Sequence, residues 1–461
     1  MNSSNLLTPG VEIFYSARRA IRSHASGGNV LIAATILALL IANTPAISPY
    51  YSLVWEYNIS LQIGDFNLFS HKGHPMTLMQ FINDALMAVF FFNIGLEIKR
   101  EVLVGELSSI RQCMLSVLGA LGGMIVPVLI FMWQAQGSNY VGGAAIPMAT
   151  DIAFSLGVLS LLGSRVPLSL KIFLTTLAVV DDIGGIVVIA VFYTESIDFS
   201  LLLYAAALLG LLIAGSYLKI RMKMYYLTVG IAVWFFFLNS GIHSTIAGVL
   251  VAFCIPASPV FNPRKYIKEI RASISHFPVE QDTSIDPKAH YILSKQQMNQ
   301  LKHIEEASNR VISPLQDLED TLRPFVDYIV VPLFAFANAG ICFDAMQFSD
   351  VTSGVSLAVI LGLVIGKFVG IFLFAGLAIL LRLAPMPQGS TWKMFAAVCV
   401  LGGIGFTVSL FIANLSFGAM GPEGMDLLNH AKLGILLGSI LAGILGYFCL
   451  SLVLPKRQVE D

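Results

Sequence analysis

The sequence predicts an all-α polytopic membrane protein with about twelve transmembrane helices. Of its 461 residues, 56% are hydrophobic and only 12% are charged, whereas soluble domains contain about 25% charged residues. Apolar runs of about 20 residues, the length that crosses a bilayer as a helix, recur along the whole chain. The alternating segments of about 10 residues that mark a transmembrane β-barrel are absent from the sequence. A lipid bilayer is therefore the first expected partner.

The composition gives no sign of a resident cofactor or of a nucleic-acid partner, and we expect neither. The formal net charge is −1. The cysteines are scattered through or beside apolar segments without a CxxC pair, at Cys113, Cys254, Cys342, Cys399 and Cys449. We interpret them as small packing residues and not as a disulfide or metal framework.

The apolar runs place the predicted spans along the chain, with boundaries good to a few residues. They lie at 27–43, 78–98, 113–134, 142–162, 168–193, 199–219, 223–239, 241–256, 325–343, 355–382, 392–417 and 428–454. Basic residues cluster before the first span (18–22) and after the sixth (219–223), whereas most loops after odd-numbered spans lack Lys and Arg. The positive-inside rule then predicts that both termini are cytoplasmic. We expect residues 1–454 to form a single transmembrane domain, followed by a cytoplasmic tail at 455–461.

Two segments outside the spans have predicted structure. Residues 57–68 alternate apolar and polar side chains around Gly64-Asp65, which indicates an external β-hairpin at about 53–69; an irregular loop is the alternative. The segment 258–323 is the only long soluble stretch and forms a cytoplasmic linker. Its first half carries several prolines and is expected to be a loop, whereas 290–322 shows helical spacing of apolar residues and predicts an amphipathic helix running towards the ninth span.

Asp181 and Asp182 lie in the middle of the fifth span, with no other charged residue between Lys171 and Glu195. A charged side chain at the bilayer centre costs at least about 2.5–3.5 kcal/mol. Two adjacent carboxyls at this depth therefore predict a functional site that faces water, an ion or a counter-charge.

The fourth span contains Asp151 near its centre, next to Pro147, Thr150 and several glycines. This composition predicts a helix broken at membrane depth, where freed carbonyls and half-helix ends hold an ion or balance a charge. Asp151 could also cap the second half-helix, and the two roles are compatible.

Lys367 lies in the middle of the tenth span, too deep to reach an interface, so it needs a carboxylate partner or a neutral state. A purely structural ion pair is one alternative. Gly403 and Gly405 interrupt the eleventh span, either as a second break or as a site of close helix packing. Breaks in corresponding members of two three-span groups, 113–193 and 355–454, predict two inverted repeats.

Taken together, these motifs resemble the bacterial NhaA-type Na+/H+ antiporters. They are Pro147-Met148-Ala149-Thr150-Asp151-Ile152-Ala153-Phe154, Asp181-Asp182, Phe334-Ala335-Phe336-Ala337-Asn338-Ala339-Gly340, Gly366-Lys367 and Gly403-Ile404-Gly405-Phe406-Thr407. The resemblance covers residues 28–447. It departs from the family pattern at Phe368, where proline is frequent, and at Asp320 and Arg323, where some members have histidines.

The resemblance implies a function and a set of site residues. The chain would exchange Na+ or Li+ for H+ electrogenically, be activated at alkaline pH, and act as a homodimer through the 57–68 hairpin in the bacterial inner membrane. Asp182 and Asp151 would bind the ion, with Thr150 beside them, and Asp181 would pair with Lys367. Glu97 and Glu319 would contribute to the pH response. His243 is a weaker candidate for that response, and a packing role is the simpler interpretation.

Chemistry supports such an exchange, because Na+ prefers oxygen ligands and would compete with protons for the same carboxylates. A proton-coupled symporter of a small solute is the alternative function, and it could use the same broken helices. An enzyme is not expected, since the Tyr-Asp and Gly-x-Gly-Asp motifs of intramembrane aspartyl proteases are absent from the sequence.

Overall fold

A computed structural model describes residues 27–64, 66–71, 73–194, 197–257, 263–275, 294–343, 348–418 and 420–455. Within these ranges the chain is mostly helical, as the sequence predicts for a polytopic membrane protein. The arginines at 18–22, Asp65 of the predicted turn and the tail from 456 onward lie outside the described residues. The cytoplasmic placement of the two termini therefore stays a prediction.

The helices are numbered here in chain order. They are α1 (Gly27–Ala42), α2 (Ser48–Glu56), α3 (Leu78–Val104), α4 (Ile110–Gln134), α5 (Ile152–Leu161), α6 (Leu168–Phe192), α7 (Phe199–Tyr217), α8 (Lys223–Ser240), α9 (Ser244–Cys254), α10 (Pro263–Ser275), α11 (Lys295–Val311), α12 (Pro314–Phe325), α13 (Val331–Asn338), α14 (Gly354–Leu380), α15 (Trp392–Leu401), α16 (Phe406–Phe417) and α17 (Gly421–Val453). A four-residue helical turn, Phe348–Val351, precedes α14.

Short stretches of other helix types interrupt or join these elements. Three are 3₁₀ segments, Glu106–Ser108, Val141–Met148 and Gly163–Arg165. Three are π segments: Phe81–Leu86 within α3, Val326–Val330 between α12 and α13, and Gly362–Gly366 within α14. Such π segments are frequent at functional sites, and the last one ends directly before Lys367.

Not every predicted span meets a length-and-hydropathy criterion. Among the described residues, seven helices do: α3, α4, Val141–Leu161, α6, α7, α14 and α17. The pair α15 and α16, bent by 43° at its break, would count as an eighth. Helices α1 and α9 are apolar but shorter. Helix α8 coincides with the predicted span 223–239, while α13 and the π segment before it cover residues 326–338 of the predicted span 325–343. The number twelve stays a prediction.

Close backbone contacts between glycines bring the two predicted repeat groups together. A Cβ atom on Gly370 of α14 would lie 2.1 Å from the carbonyl oxygen of Gly122 in α4. Only glycine allows backbones to approach this closely, which is how helices commonly pack in membranes. This contact places the middle of α14, with Lys367, against the helix group that carries Asp151 and Asp181. The inverted-repeat relation itself stays a prediction.

The β structure extends further along the chain than the predicted hairpin and begins later. Residues 53–56 belong to α2, whose first turn accommodates Pro49. The strands are β1 (Asn58–Ile59), β2 (Gln62–Ile63), β3 (Phe66–Asn67), β4 (Ser70–His71) and β5 (His74–Thr77). Antiparallel pairs form a small sheet in the order β1-β5-β4, and β2 pairs with β3 across Gly64, whose φ is +64°.

The predicted loop in the first half of the linker is wrong, because α10 occupies residues 263–275. Pro263 is its first residue, a position where the missing N–H costs nothing. The second half of the linker contains two helices and not one. Between α11 and α12, Ser313 caps the second helix through its Oγ, and Pro314 again opens it. Residues 276–293 lie outside the described ranges.

Candidate functional site

Two broken helices meet at the centre of the site. The 3₁₀ segment ends at Met148, the chain is extended from Ala149 to Asp151, and α5 begins at Ile152. In the other pair, α15 ends at Leu401 and α16 begins at Phe406. The two breaks touch, since the Asp151 main-chain N–H donates to the Ile404 carbonyl at 2.6 Å. Each break satisfies backbone groups that the other leaves unpaired.

The glycines of the second break have both of the roles that the sequence left open, a helix break and close helix packing. A Cβ atom on Gly403 would lie 2.3 Å from the carbonyl oxygen of Leu363, and one on Gly405 would lie 3.0 Å from that of Ala149. The helix is interrupted here, and it is also packed closely against α14 and the first break. Pro147 belongs to the same contact, because a Cβ on Gly362 would be 2.6 Å from its Cβ.

Asp151 caps two half-helices at once. Its Oδ1 accepts from the main-chain N–H of Phe154 in α5 at 3.0 Å. Its Oδ2 accepts from the main-chain N–H of Thr407 in α16 at 3.1 Å and from the Thr407 hydroxyl at 2.6 Å. The positive ends of both helix dipoles therefore converge on one buried carboxyl. The capping role that the sequence suggested is present, and it extends to a second helix.

Lys367 and Asp181 form a fully buried ion pair. The Lys367 Nζ donates to Asp181 Oδ2 and, at 2.8 Å, to the Thr150 hydroxyl. The Thr150 Oγ1 lies 2.5 Å from Asp181 Oδ2 and 3.0 Å from the Gly402 carbonyl, so its single hydrogen serves one of these acceptors at a time. Thr150 thus joins the ion pair to both breaks.

The neighbouring Asp182 has a different environment. Within the described ranges, its carboxyl accepts no hydrogen bond from another residue. It is 5% exposed and borders an internal cavity of about 340 Å³ together with Asp151, Thr150 and Thr407. Successive residues of a helix point about 100° apart, and α6 uses this to direct one carboxyl to a lysine and the next to an open space.

The cavity leads from these carboxyls to a charged mouth. Its outer lining includes Glu97 of α3, Arg323 of α12 and Asp327 of the following π segment. At roughly 30 Å³ per water molecule, the space holds on the order of ten waters, enough for a hydrated cation. The cavity therefore connects Asp182 and Asp151 to a polar surface at one end of the helices.

Two of the three residues with a predicted pH response, Glu97 and Glu319, interact electrostatically in one cluster of charges that includes Arg100 and Arg323. Glu97 is 3.9 Å from Arg323 at the mouth. Glu319 is buried outside the cavity lining, 3.2 Å from Arg100, which also pairs with Glu101 at 2.8 Å. Burial raises the pKa of Glu319, with the Arg100 charge opposing that shift.

His243 lies away from this charged end. It precedes α9, whose first residue, Ser244, contacts the carbonyl of Asp84 at 3.3 Å. At the opposite end of α9, the Lys99 ammonium donates a hydrogen bond to the Phe253 carbonyl at 2.7 Å. The eleven residues of α9, about 16 Å of helix, separate His243 from the mouth.

Sequence reasoning missed two residues of this region. Thr407 binds Asp151 through both its main chain and its side chain, and the only signal was its place directly after the glycine break. Asp327 is the second residue of the π segment and lines the mouth. Its signal was a lone acid in the apolar run of the ninth span.

Comparison with known proteins shows similarity along almost the whole chain. Residues 18–450 match the family described as Na+/H+ antiporter 1. A Na(+)/H(+) antiporter NhaA from Phocaeicola vulgatus is 52% identical over 97% of this chain and 98% of its own. A protein of the same name from Bacteroides fragilis is 55% identical over 93% of this chain and 96% of its own length. Another from Oleidesulfovibrio alaskensis is 40% identical over 96% of this chain and 95% of its own length.

Proposed function

The chain belongs to the NhaA-type Na+/H+ antiporter family, a family of transporters, and we propose that it exports Na+ or Li+ across the bacterial inner membrane in exchange for protons. One observation carries this proposal. On a single turn of α6, Asp181 is bound to Lys367, whereas Asp182 faces a cavity without a hydrogen-bond partner among the described residues. A carboxyl in that position is available to a mobile cation.

Competition between Na+ and protons for the same oxygens couples their movements. A Na+ ion that enters the cavity would bind Asp182, with Asp151 and cavity water completing its oxygen ligands. When the ion leaves, an uncompensated carboxylate in this buried site is costly, so a proton takes its place. The site is loaded with one cation or the other whenever it moves between the two sides.

The Lys367–Asp181 pair holds the site together and supplies a charge that offsets the acids. Thr150 connects this pair to both breaks, so a shift in either broken helix would alter the ion pair. We propose an electrogenic exchange in which more protons enter than Na+ ions leave. Each uncompensated charge then gains about 2.3 kcal/mol per 100 mV of membrane potential.

Alkaline activation follows from the same competition, because protons must leave before Na+ binds. Glu97 at the mouth and Glu319 beside Arg100 are in position to modify this response. We place the mouth on the cytoplasmic side, in accord with the positive-inside distribution of Lys and Arg. The residues 57–68 would then be external, where short strands could pair with those of a second copy.

The experiment that tests this function measures proton movement in acid-loaded everted vesicles on separate addition of Na+, Li+ and K+. Na+ and Li+ should release protons and K+ should not. Asp182→Asn should abolish the response, whereas Asp317→Asn, which removes an exposed carboxyl 2.7 Å from Lys223, should leave it intact. A full Na+ response in Asp182→Asn would exclude the proposed site, and no response in the unchanged protein would favour the proton-coupled symporter.

A further inference from the structure

Three asparagines from three helices form a continuous hydrogen-bonded chain that the exchange described above does not use. The Asn414 amide of α16 donates to Asn338 Oδ1 at 2.9 Å, and the Asn338 amide of α13 donates to Asn83 Oδ1 of α3 at 2.9 Å. Asn338 is fully buried. The Asn338 amide donates its second hydrogen to the Phe334 carbonyl, and the Asn414 amide donates its second hydrogen to the Leu410 carbonyl.

This asparagine chain lies on the side of the ion site opposite the cavity mouth. Along α3, Asn83 precedes Glu97 by about 21 Å at 1.5 Å per residue. By the same measure, Asn338 follows Asp327 by about 16 Å, and Asn414 follows Thr407 by about 10 Å. The carboxyls of the site therefore lie between the mouth and the three amides.

A packed aromatic group from the same three helices separates the two ends. On each helix a phenylalanine precedes or follows the asparagine on the side facing the ion site. Phe91 lies between Asn83 and Glu97 of α3, and Phe334 lies between Asp327 and Asn338. Phe411 lies between Thr407 and Asn414 of α16. The ring of Phe411 is 5.6 Å from that of Phe91 and 6.3 Å from that of Phe334, and each of the three residues is 1% exposed. The side of the site away from the mouth is thus closed by apolar packing next to an amide chain.

The same end of α16 is held by a second polar contact. The Tyr193 hydroxyl at the end of α6 donates to the Gly142 carbonyl at 2.9 Å and lies 3.0 Å from the Ser416 Oγ. The beginning of α16 binds Asp151 through Thr407. One twelve-residue half-helix therefore contacts the ion site at its first turn and closes the far side at its last.

We propose that Asn83, Asn338 and Asn414 are the latch of the gate on the far side of the ion site, the side through which Na+ would leave. The inference rests on the proposed antiport by alternating access. Amides suit this position because, once they part, each oxygen can bind water or the hard cation itself. A gate made of apolar residues alone would leave the ion without ligands at that point.

Breaking the latch should favour the state that is open to the far side. In Asn338→Ala or Asn414→Ala, the apparent KM for Na+ on the far side should fall by up to about fivefold, because more molecules are open to that side. The apparent KM on the mouth side should rise. Everted and right-side-out vesicles give the two values, and the matched control is Asn239→Ala, whose amide makes a similar bond to the Phe235 carbonyl in α8.

A second measurement does not depend on transport. Hydrogen exchange of the full chain in lipid nanodiscs should become faster for the end of α13 and the second half of α16, and stay unchanged in α5. Should the alanine variants fail to fold, Asn414→Ser serves in their place. Opposite shifts of the two KM values together with the localised exchange support the latch. Equal shifts on both sides, or unchanged exchange at both helix ends, overturn it, even where the Na+ response of the unchanged protein is normal.

Discussion

Removing the Lys367 ammonium should strongly destabilise the protein, and the structure gives the size of the effect. The pair with Asp181 is fully buried, and Asp181 Oδ1 already has no hydrogen-bond partner within the described residues. Taking away one partner of such a pair costs about 3–5 kcal/mol, because the remaining charge is left uncompensated. Lys367→Met keeps most of the apolar stem and removes only the charge, so it isolates this effect.

Thermal unfolding of the detergent-solubilised protein provides the assay. The shift in Tm per kcal/mol falls with chain length and is about 1–2 °C for a chain of this size, so Tm should fall by about 3–10 °C. The double variant Lys367→Met with Asp181→Asn removes both charges and should recover most of the loss, because replacing a whole buried pair is often neutral.

The matched control is Lys432→Met. Lys432 is another buried lysine, 7% exposed, and within the described residues it has no carboxylate partner. Its replacement should leave Tm unchanged or raise it. The reasoning is refuted if Lys367→Met melts like the unchanged protein, or if the double variant is as unstable as the single one. Lys367→Met should also retain Na+-dependent proton movement with an altered pH profile.

Two further predictions concern packing and pH. Gly403→Ala should lower Tm and Na+-driven proton movement, since its Cβ would lie 2.3 Å from the Leu363 carbonyl oxygen. The control Gly210→Ala has open space around its Cβ and should be neutral. Equal behaviour of the two variants would contradict the close contact. Burial raises the pKa of Glu319, so its stabilising contribution is present at acid pH and is lost as pH rises through the raised value. The Tm of Glu319→Gln relative to the unchanged protein should therefore increase as pH rises above the ordinary range of glutamate, and a relative decrease would reverse the assigned direction.

Charged residues at membrane depth made much of the site predictable. Asp151, Asp181, Asp182 and Lys367 stand out because ionisable side chains are rare in long apolar runs, and their cost there demands a reason. The breaks were also visible, since proline and clustered glycines weaken helices. The resemblance to a family then separated the roles of Asp181 and Asp182, which sequence position alone leaves equivalent.

Uncharged polar residues gave no comparable signal. Asn83 and Asn414 look ordinary in sequence, and Asn338 stands out only as part of the motif 334–340, because a single asparagine in a helix costs little. The meeting of the three depends on three distant helices. The double capping of Asp151 by Thr407 likewise exists only once the two breaks cross. The sequence does not predict α10, because Pro263 and the neighbouring prolines suggest a loop, although proline is favoured in the first turn of a helix.

The most direct test of the central claim is the apparent KM for Na+ as a function of pH in everted vesicles. If Na+ and protons compete for Asp182, the KM should rise by about tenfold for each unit of acidification below the activating range, while the maximal rate at saturating Na+ stays constant. A KM that is independent of pH, with the whole pH dependence in the maximal rate, would contradict competition at a shared carboxyl.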